Sequence, residues 1–362
     1  MGKIKILHIS PDFNYSCGVS KYVYSLMKCF SDKNSYEMFF ITNGGDALDK
    51  LKEIKLNSQI LRFSRGKKNV FNFIQNLKAL IDYCVKYKID IIHTHHRYPE
   101  LLAFLASKFI KIKTISTAHS IISGKTNFSF KSDKIIAVSK TVKSMLIYNY
   151  KVPVGKIIMI NNFIEPIEKK DLRNKLNIKS DLGISPNGKI ILFLGRITKI
   201  KGIDTLIESF KLIAKKYNYV YLLIIGGNYD KSLKNILIDL PTRIKLLDPV
   251  NNPYPYYSIS DIIVLPSRVD PFPYVMLEAG LTKIPFIGSR TGGINEFIED
   301  NITGLLIEPG CYKQLAEKII YLLENPQKGK LLAENLFAKV KENISSEKYY
   351  ESLDNIYKQM LM

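Results

Sequence analysis

A rhythm constrains this chain more than any single motif. Short apolar runs rich in Ile, Val and Leu alternate with longer segments whose apolar residues recur every three or four positions. The first series of runs is KIKILHI (3–9), MFFIT (38–42), IDIIHT (89–94), KTIST (113–117), KIIAV (134–138) and KIIMI (156–160). A second series is KIILFLG (189–195), YVYLLIIG (219–226), RIKLL (243–247), DIIVLP (261–266), PFIGS (285–289) and GLLIEP (304–309). These runs do not alternate apolar with polar residues, so both faces of each must be covered. That is the pattern of parallel strands lying under helices. VSKYVYSLMKCF (19–30) and GIDTLIESFKLIAKKY (202–217) carry the helical spacing between strands. A polar stretch at 165–189, with two Pro and two Gly, separates the two series and reads as a linker region with one short helix. The expected fold is α/β, with two doubly wound domains facing across a cleft: residues 1–165 and 166–345. The last helical pattern, 346–362, is expected to pack back on the first domain. Ligands of such sheets bind beyond the carboxyl ends of the strands, which puts a site in that cleft.

Composition narrows the class of protein. No apolar run reaches the length of a spanning helix. The start, MGKIKILHIS, enters a strand pattern without a signal-peptide layout. Four scattered cysteines, Cys17, Cys29, Cys84 and Cys311, show neither pairing nor CxxC spacing. A reducing cytoplasm is the expected compartment. Charge is the unusual property: 53 Lys and Arg against 33 Asp and Glu give +20. The whole excess lies in residues 1–200, and its densest part, 51–150, has 18 basic against 5 acidic residues. Such asymmetry suits an anionic partner, whether membrane, nucleic acid or phosphorylated substrate. The plainer alternative is a lysine-rich composition on solvated faces.

Three clusters can carry chemistry. In GRITKIKG (195–202), Arg196 and Lys201 stand between a strand end and a helix start. Helix N-termini favour phosphate, and these two cations add a fork and a point charge; otherwise they are solvated cations beside a turn. In DPFPYVMLE (270–278), Asp270 and Glu278 are eight residues apart and cannot share a helix face. Either they reach one site from a loop and from a helix, where carboxylates accept from sugar or ribose hydroxyls, or Asp270 caps a helix and Glu278 sits on the surface. In RTGGINEF (290–297), Thr291 precedes the pair Gly292–Gly293, which permits close backbone approach or simply a tight turn.

All five histidines, His8, His93, His95, His96 and His119, fall in the first third of the chain. HTHH suggests a metal site, but His93 and His95 need a third ligand and no suitably spaced partner follows them. No metal is expected. His119, just after a strand, is better placed as a polar group in the cleft. No Asp-x-Asp, GxxxxGK[ST] or GxGxxG is present.

Together the motifs resemble glycosyltransferase family 4, retaining enzymes of the GT-B fold, which is two Rossmann-like domains. The resemblance runs through CGVSKYV, TAHS (117–120), AVSK (137–140), INNFIEP (160–166), LGRITKIKGIDTLIESF (194–210), SDIIVLPSRVDPFPYVMLEAG (260–280) and TGGINEFIEDNITGLLIEP (291–309). It implies that Arg196 and Lys201 meet the donor diphosphate, Asp270 the transferred sugar and Glu278 the ribose. Phe272 and Pro273 match the loop lining the sugar. Gly18 matches a glycine near the diphosphate, and His119 and Asn162 match polar residues of the first domain. His119, Arg196, Lys201 and Asp270 form the implied catalytic set; the others, with Thr291, Gly292 and Gly293, form the donor-binding set. Three positions depart from the family pattern: Asp270 replaces the usual Glu, Lys283 a usual Gly, and Asp248 a common Gly.

The resemblance implies hexose transfer from a UDP- or GDP-sugar to a glycan or lipid-linked glycan, in bacterial surface polysaccharide assembly. No metal or other cofactor and no nucleic acid are expected. The basic first domain suits an anionic membrane surface, with SRGKKNVFNFIQNLKALIDYCVKYK (64–88) as a candidate interfacial helix whose apolar stripe is otherwise core. The competing readings are a basic-surface binding protein and an inactive GT-B scaffold.

Overall fold

In a computed structural model, residues 2–54, 56–60, 70–122, 128–167, 175–227, 229–233 and 240–362 are described. The chain divides into two compact units. One is Met1–Phe163 together with Ser346–Met362, and the other is Ile164–Ser345. The separating stretch contains a short helix at Lys175–Asp181, and residues 168–174 lie outside the described residues.

The first unit holds strands β1 (Ile4–Ile9), β2 (Tyr36–Thr42), β3 (Asn57–Ile60), β4 (Ile91–Thr94), β5 (Lys113–Ala118), β6 (Lys134–Ala137) and β7 (Ile157–Met159). They form one parallel sheet in the order β3-β2-β1-β4-β5-β6-β7. Its helices are α1 (Gly18–Ser31), α2 (Val70–Tyr87), α3 (Arg97–Ala106) and α4 (Lys140–Tyr148). Six of these strands fall on the apolar runs of the sequence. β3, NSQI, does not, because a polar edge strand lacks the both-faces-buried pattern. The plainer reading of 64–88 holds for the body of α2: Leu80, Tyr83 and Cys84 are buried against Leu7, Ile9 and Ile92. Residues 64–69 of that segment lie outside the described residues.

The second unit follows with α5 (Lys175–Asp181), β8 (Lys189–Leu194), α6 (Ile203–Lys216), β9 (Val220–Ile225), β10 (Ile244–Leu247), α7 (Tyr254–Ser258), β11 (Ile262–Leu265), α8 (Tyr274–Thr282), β12 (Phe286–Ser289), α9 (Gly292–Phe297), β13 (Leu305–Ile307), α10 (Tyr312–Glu324) and α11 (Pro326–Asn343). Its parallel sheet runs β10-β9-β8-β11-β12-β13. In both sheets the order reverses beside the first strand, the switch-point arrangement of doubly wound folds. The last helix, α12 (Ser346–Leu361), belongs to the first unit. It buries Tyr349, Leu353, Ile356, Tyr357 and Met360 there. Tyr36 Oη donates to Asp354 Oδ1 at 2.6 Å, and Tyr357 Oη pairs with His93 Nδ1 at 2.7 Å.

Candidate functional site

In the second unit the chemistry gathers at the carboxyl ends of β8 and β11. After β8 the chain makes a single turn at 199–201, capped by the Thr198 side chain, which accepts from the Lys201 N–H. Gly202 then takes φ +76, and a Cβ there would lie 1.9 Å from the Pro266 carbonyl oxygen. Only glycine permits this approach. The loop after β11 is tied to the turn by Arg268. Its N–H donates to the Ile200 carbonyl at 2.8 Å, and its guanidinium grips Asp204 in the first turn of α6 at 2.7 and 2.8 Å. The result is that Lys201 Nζ meets Asp270 Oδ2 at 2.5 Å, and Ser267 Oγ donates to the same oxygen at 3.1 Å.

Asp270 is 2% exposed and Glu278 5%. The helix-cap and surface alternatives therefore fall away, and Pro273 is the residue that caps α8. Glu278 accepts from Tyr257 Oη at 2.5 Å. Burial, and after it the Glu278 carboxylate, drives the tyrosine's pKa well above its usual value. Phe272 is buried with its ring edge-on to Phe297. The close approach at Gly292–Gly293 is to protein backbone. The Gly293 N–H donates to the Asp270 carbonyl at 3.0 Å, and a Cβ there would lie 2.2 Å from the Pro271 carbonyl oxygen. Thr291 stands at the α9 N-cap, but its hydroxyl donates to the Arg268 carbonyl at 3.0 Å. Arg196 is exposed and has no ion pair among the described residues. Asp248 is exposed as well. Lys283 caps α8 at φ +54, which explains why a glycine would suit that position.

The first unit presents a different cluster. His8 on β1 and His93 on β4 are register partners. His95 follows β4 and His119 follows β5. His8 Nδ1 lies 3.1 Å from His95 Nε2, and His95 Nδ1 lies 3.3 Å from His119 Nε2. His93 Nε2 meets Thr117 Oγ1 at 2.7 Å. Tyr22 sets its ring edge-on to His119 at 4.5 Å, and its hydroxyl bonds Tyr349 of α12. His8, His93 and His95 are fully buried, while His119 keeps an edge at the surface. Burial pushes His8 down to about 3 and holds His93 and His95 well below the usual histidine range. His119 is likewise pushed down to about 3. Ordinary pH finds all four neutral.

The third histidine missing downstream of His95 stands upstream on β1, and ring nitrogens of His8, His93 and His95 lie within 4.8 Å of one another. A metal ion could be held there only if His93 and His95 gave up bonds they now make. Both nitrogens of His93 are engaged by hydroxyls, and His8 and His95 bond each other. Asn162 is buried just beyond β7, and Gly18 opens α1, whose N-cap Cys17 supplies no side-chain acceptor. Sequence reading missed Ser267, Tyr257, Arg268 and the partners of His119. Ser267 is three residues from Asp270 and locally detectable. The others are joined to their partners only by the fold.

Two family models match the chain: "Glycosyltransferase Family 4" over residues 17–167 and "Glycosyl transferases group 1" over residues 174–339. The chain belongs to glycosyltransferase family 4. It is a transferase with the two-domain α/β GT-B fold. N-acetyl-alpha-D-glucosaminyl L-malate synthase of Bacillus anthracis is 26% identical over 353 residues, 91% of each chain. The capsular polysaccharide biosynthesis glycosyltransferase CapM of Staphylococcus aureus is 31% identical over 242 residues, 64% of this chain and 63% of CapM. The crystal structure of Anabaena HepE in complex with UDP-glucose superimposes with a TM-score of 0.84 at 17% identity, over 98% of this chain and 100% of HepE. Among the described residues no helix is long and apolar enough to cross a membrane.

Proposed function

We propose that this transferase moves a hexose, with retention, from a nucleoside diphosphate sugar to a hydroxyl of a glycan or lipid-linked glycan during surface polysaccharide assembly. The observation that carries this reading is the ion pair of part-buried Lys201 with buried Asp270 beyond β8, near the exposed Arg196 in sequence. The reaction breaks the C1–O bond, and its electron pair goes to the diphosphate. The acceptor oxygen bonds C1 on the same face and passes its proton to the departing phosphate oxygen. Arg196 and Lys201 meet the growing negative charge. Asp270 positions the sugar, Glu278 accepts from the ribose hydroxyls, and the Phe272–Pro273 and Thr291–Gly293 segments line the donor. Asn162 and His119 supply polar contacts from the first unit. The donor base is uracil or guanine, and the HepE complex with UDP-glucose favours uracil by analogy. The charge is met by protein groups without a metal ion.

A thermal-shift panel with UDP, GDP, ADP and NAD, with and without EDTA, tests this directly. A nucleotide at 100 times its Kd adds about 2.7 kcal/mol. A shift with UDP or GDP that survives EDTA is expected. Silence with every diphosphate, or a shift with NAD alone, would overturn the reading.

We also propose that the enzyme works in the cytoplasm, held peripherally on an anionic membrane. Support comes from the basic stretch 51–150 and from Val70, Phe71 and Ile74, exposed on the first turns of α2. Each basic residue near such a surface contributes about 1 kcal/mol. Flotation with phosphatidylserine vesicles should be lost at high salt; no salt-sensitive association would sink this part.

A further inference from the structure

The row His8–His95–His119 has a direction. Each neutral imidazole carries one N–H, so in a row of rings each donates one way and accepts the other. One end of the row is sealed. His8 Nε2 is buried and has no hydrogen-bond partner among the described residues, while His8 Nδ1 faces His95 Nε2. If the row ran from His119 inward, His8 would have to hold its proton on Nε2, an orphaned buried donor. If it runs outward, His8 Nε2 is only a bare lone pair. Buried donors without partners are the rarer and costlier case.

We infer that the row runs outward, so that His8 and His95 are positioning residues that fix His119 in its Nδ1–H tautomer. His8 Nδ1–H donates to His95 Nε2, His95 Nδ1–H donates to His119 Nε2, and the His119 proton is left on Nδ1. Among the described residues Nδ1 is the ring nitrogen of His119 that no protein group engages. His119 therefore meets its ligand as a hydrogen-bond donor to an oxygen acceptor, such as a sugar hydroxyl oxygen, and not as a base. This last step rests on the donor-sugar reading above; the tautomer itself does not. The titratable groups facing the row are His93, His96 and Tyr22, with Tyr349 and Tyr357 from α12. Among the described residues no carboxylate bonds any of its rings.

The test is long-range 1H–15N correlation spectroscopy of the full chain, labelled with 15N-histidine and free of ligand, near pH 7. A solvated imidazole favours Nε2–H, so three Nδ1–H rings stand apart. The expected result is the Nδ1–H pattern for His8, His95 and His119, with His119 identified by its loss in His119→Asn. An Nε2–H or averaged pattern at His119, an imidazolium, or a metal bound to these rings in the purified chain would overturn the inference. In His95→Leu the His119 signals should shift to the Nε2–H pattern; an unchanged His119 there would also overturn it. If that variant does not fold, the wild-type spectrum still decides. Absence of nucleotide binding would leave these spectra untouched, so failure of the donor reading and failure of this inference are separable.

Discussion

The two polar clusters, one in each unit, solve the problem of burial in opposite ways. At the end of β8 the second unit pairs its charges: Lys201 and Asp270 form a part-buried ion pair, and the buried Glu278 accepts from the Tyr257 hydroxyl. The first unit collects four imidazoles and keeps them neutral, bonding them to each other and to hydroxyls. Charge survives burial only with a partner, whereas imidazole can discard its proton. Acid should therefore act mainly on one unit and truncation of cations mainly on the other.

The largest effect expected is from acid. His8 holds a pKa of about 3 when folded against 6.5 as its ordinary value. The unfolded chain then binds more protons, so the associated stability is complete above pH 6.5 and is lost as pH falls toward 3. The slope is about 1.4 kcal/mol per pH unit for one such histidine. His93 and His95 shift in the same direction and steepen it. Hydrogen exchange on the full chain between pH 7 and 5 should show protection falling in β1, β4 and β5 before β8 and β11. Equal loss in both sheets would erase the contrast.

Next come the cations. Lys201→Ala and Arg196→Ala should each lower kcat by about 10²–10³. Only Lys201→Ala should also destabilise the fold, by roughly 3 kcal/mol, because it strands the Asp270 carboxylate. Denaturant titration beside turnover separates the two, and a loss below about threefold in both variants removes them from the mechanism. Tyr257→Phe removes the hydroxyl on Glu278 and should cost about 1–3 kcal/mol; an unchanged midpoint would show that Glu278 needs no such support. The smallest effect sharpens a departure from the family. Lys283 sits at φ +54, its ammonium paired with Glu334 at the surface and lying over the Phe337 ring. Lys283→Gly should stabilise by no more than about 1 kcal/mol, since strain relief is offset by added freedom in the unfolded chain.

Both sheets were legible in the sequence because parallel strands buried on two faces read as continuous apolar runs. Among the described residues twelve of thirteen strands announce themselves this way; NSQI at the edge carries no such mark. Arg196, Lys201, Asp270 and Glu278 were legible because loop and helix-start residues lie in short contiguous motifs. Their partners were less so. Tyr257 reaches Glu278 from 21 residues away, and the separate helix α7 brings it there. The histidines show the limit most plainly. Sequence placed His8, His93 and His119 at or near strand ends, but their convergence depends on β1, β4 and β5 being adjacent in the sheet. Strand order is set by crossover topology, which no local pattern encodes. The sequence by itself determined the α/β rhythm, the two-part division and the charged motifs, because each follows from local periodicity or composition. Only the tertiary structure decided which imidazoles meet, which carboxylates are buried and which helix closes the first unit, because those depend on contacts between residues up to 327 positions apart.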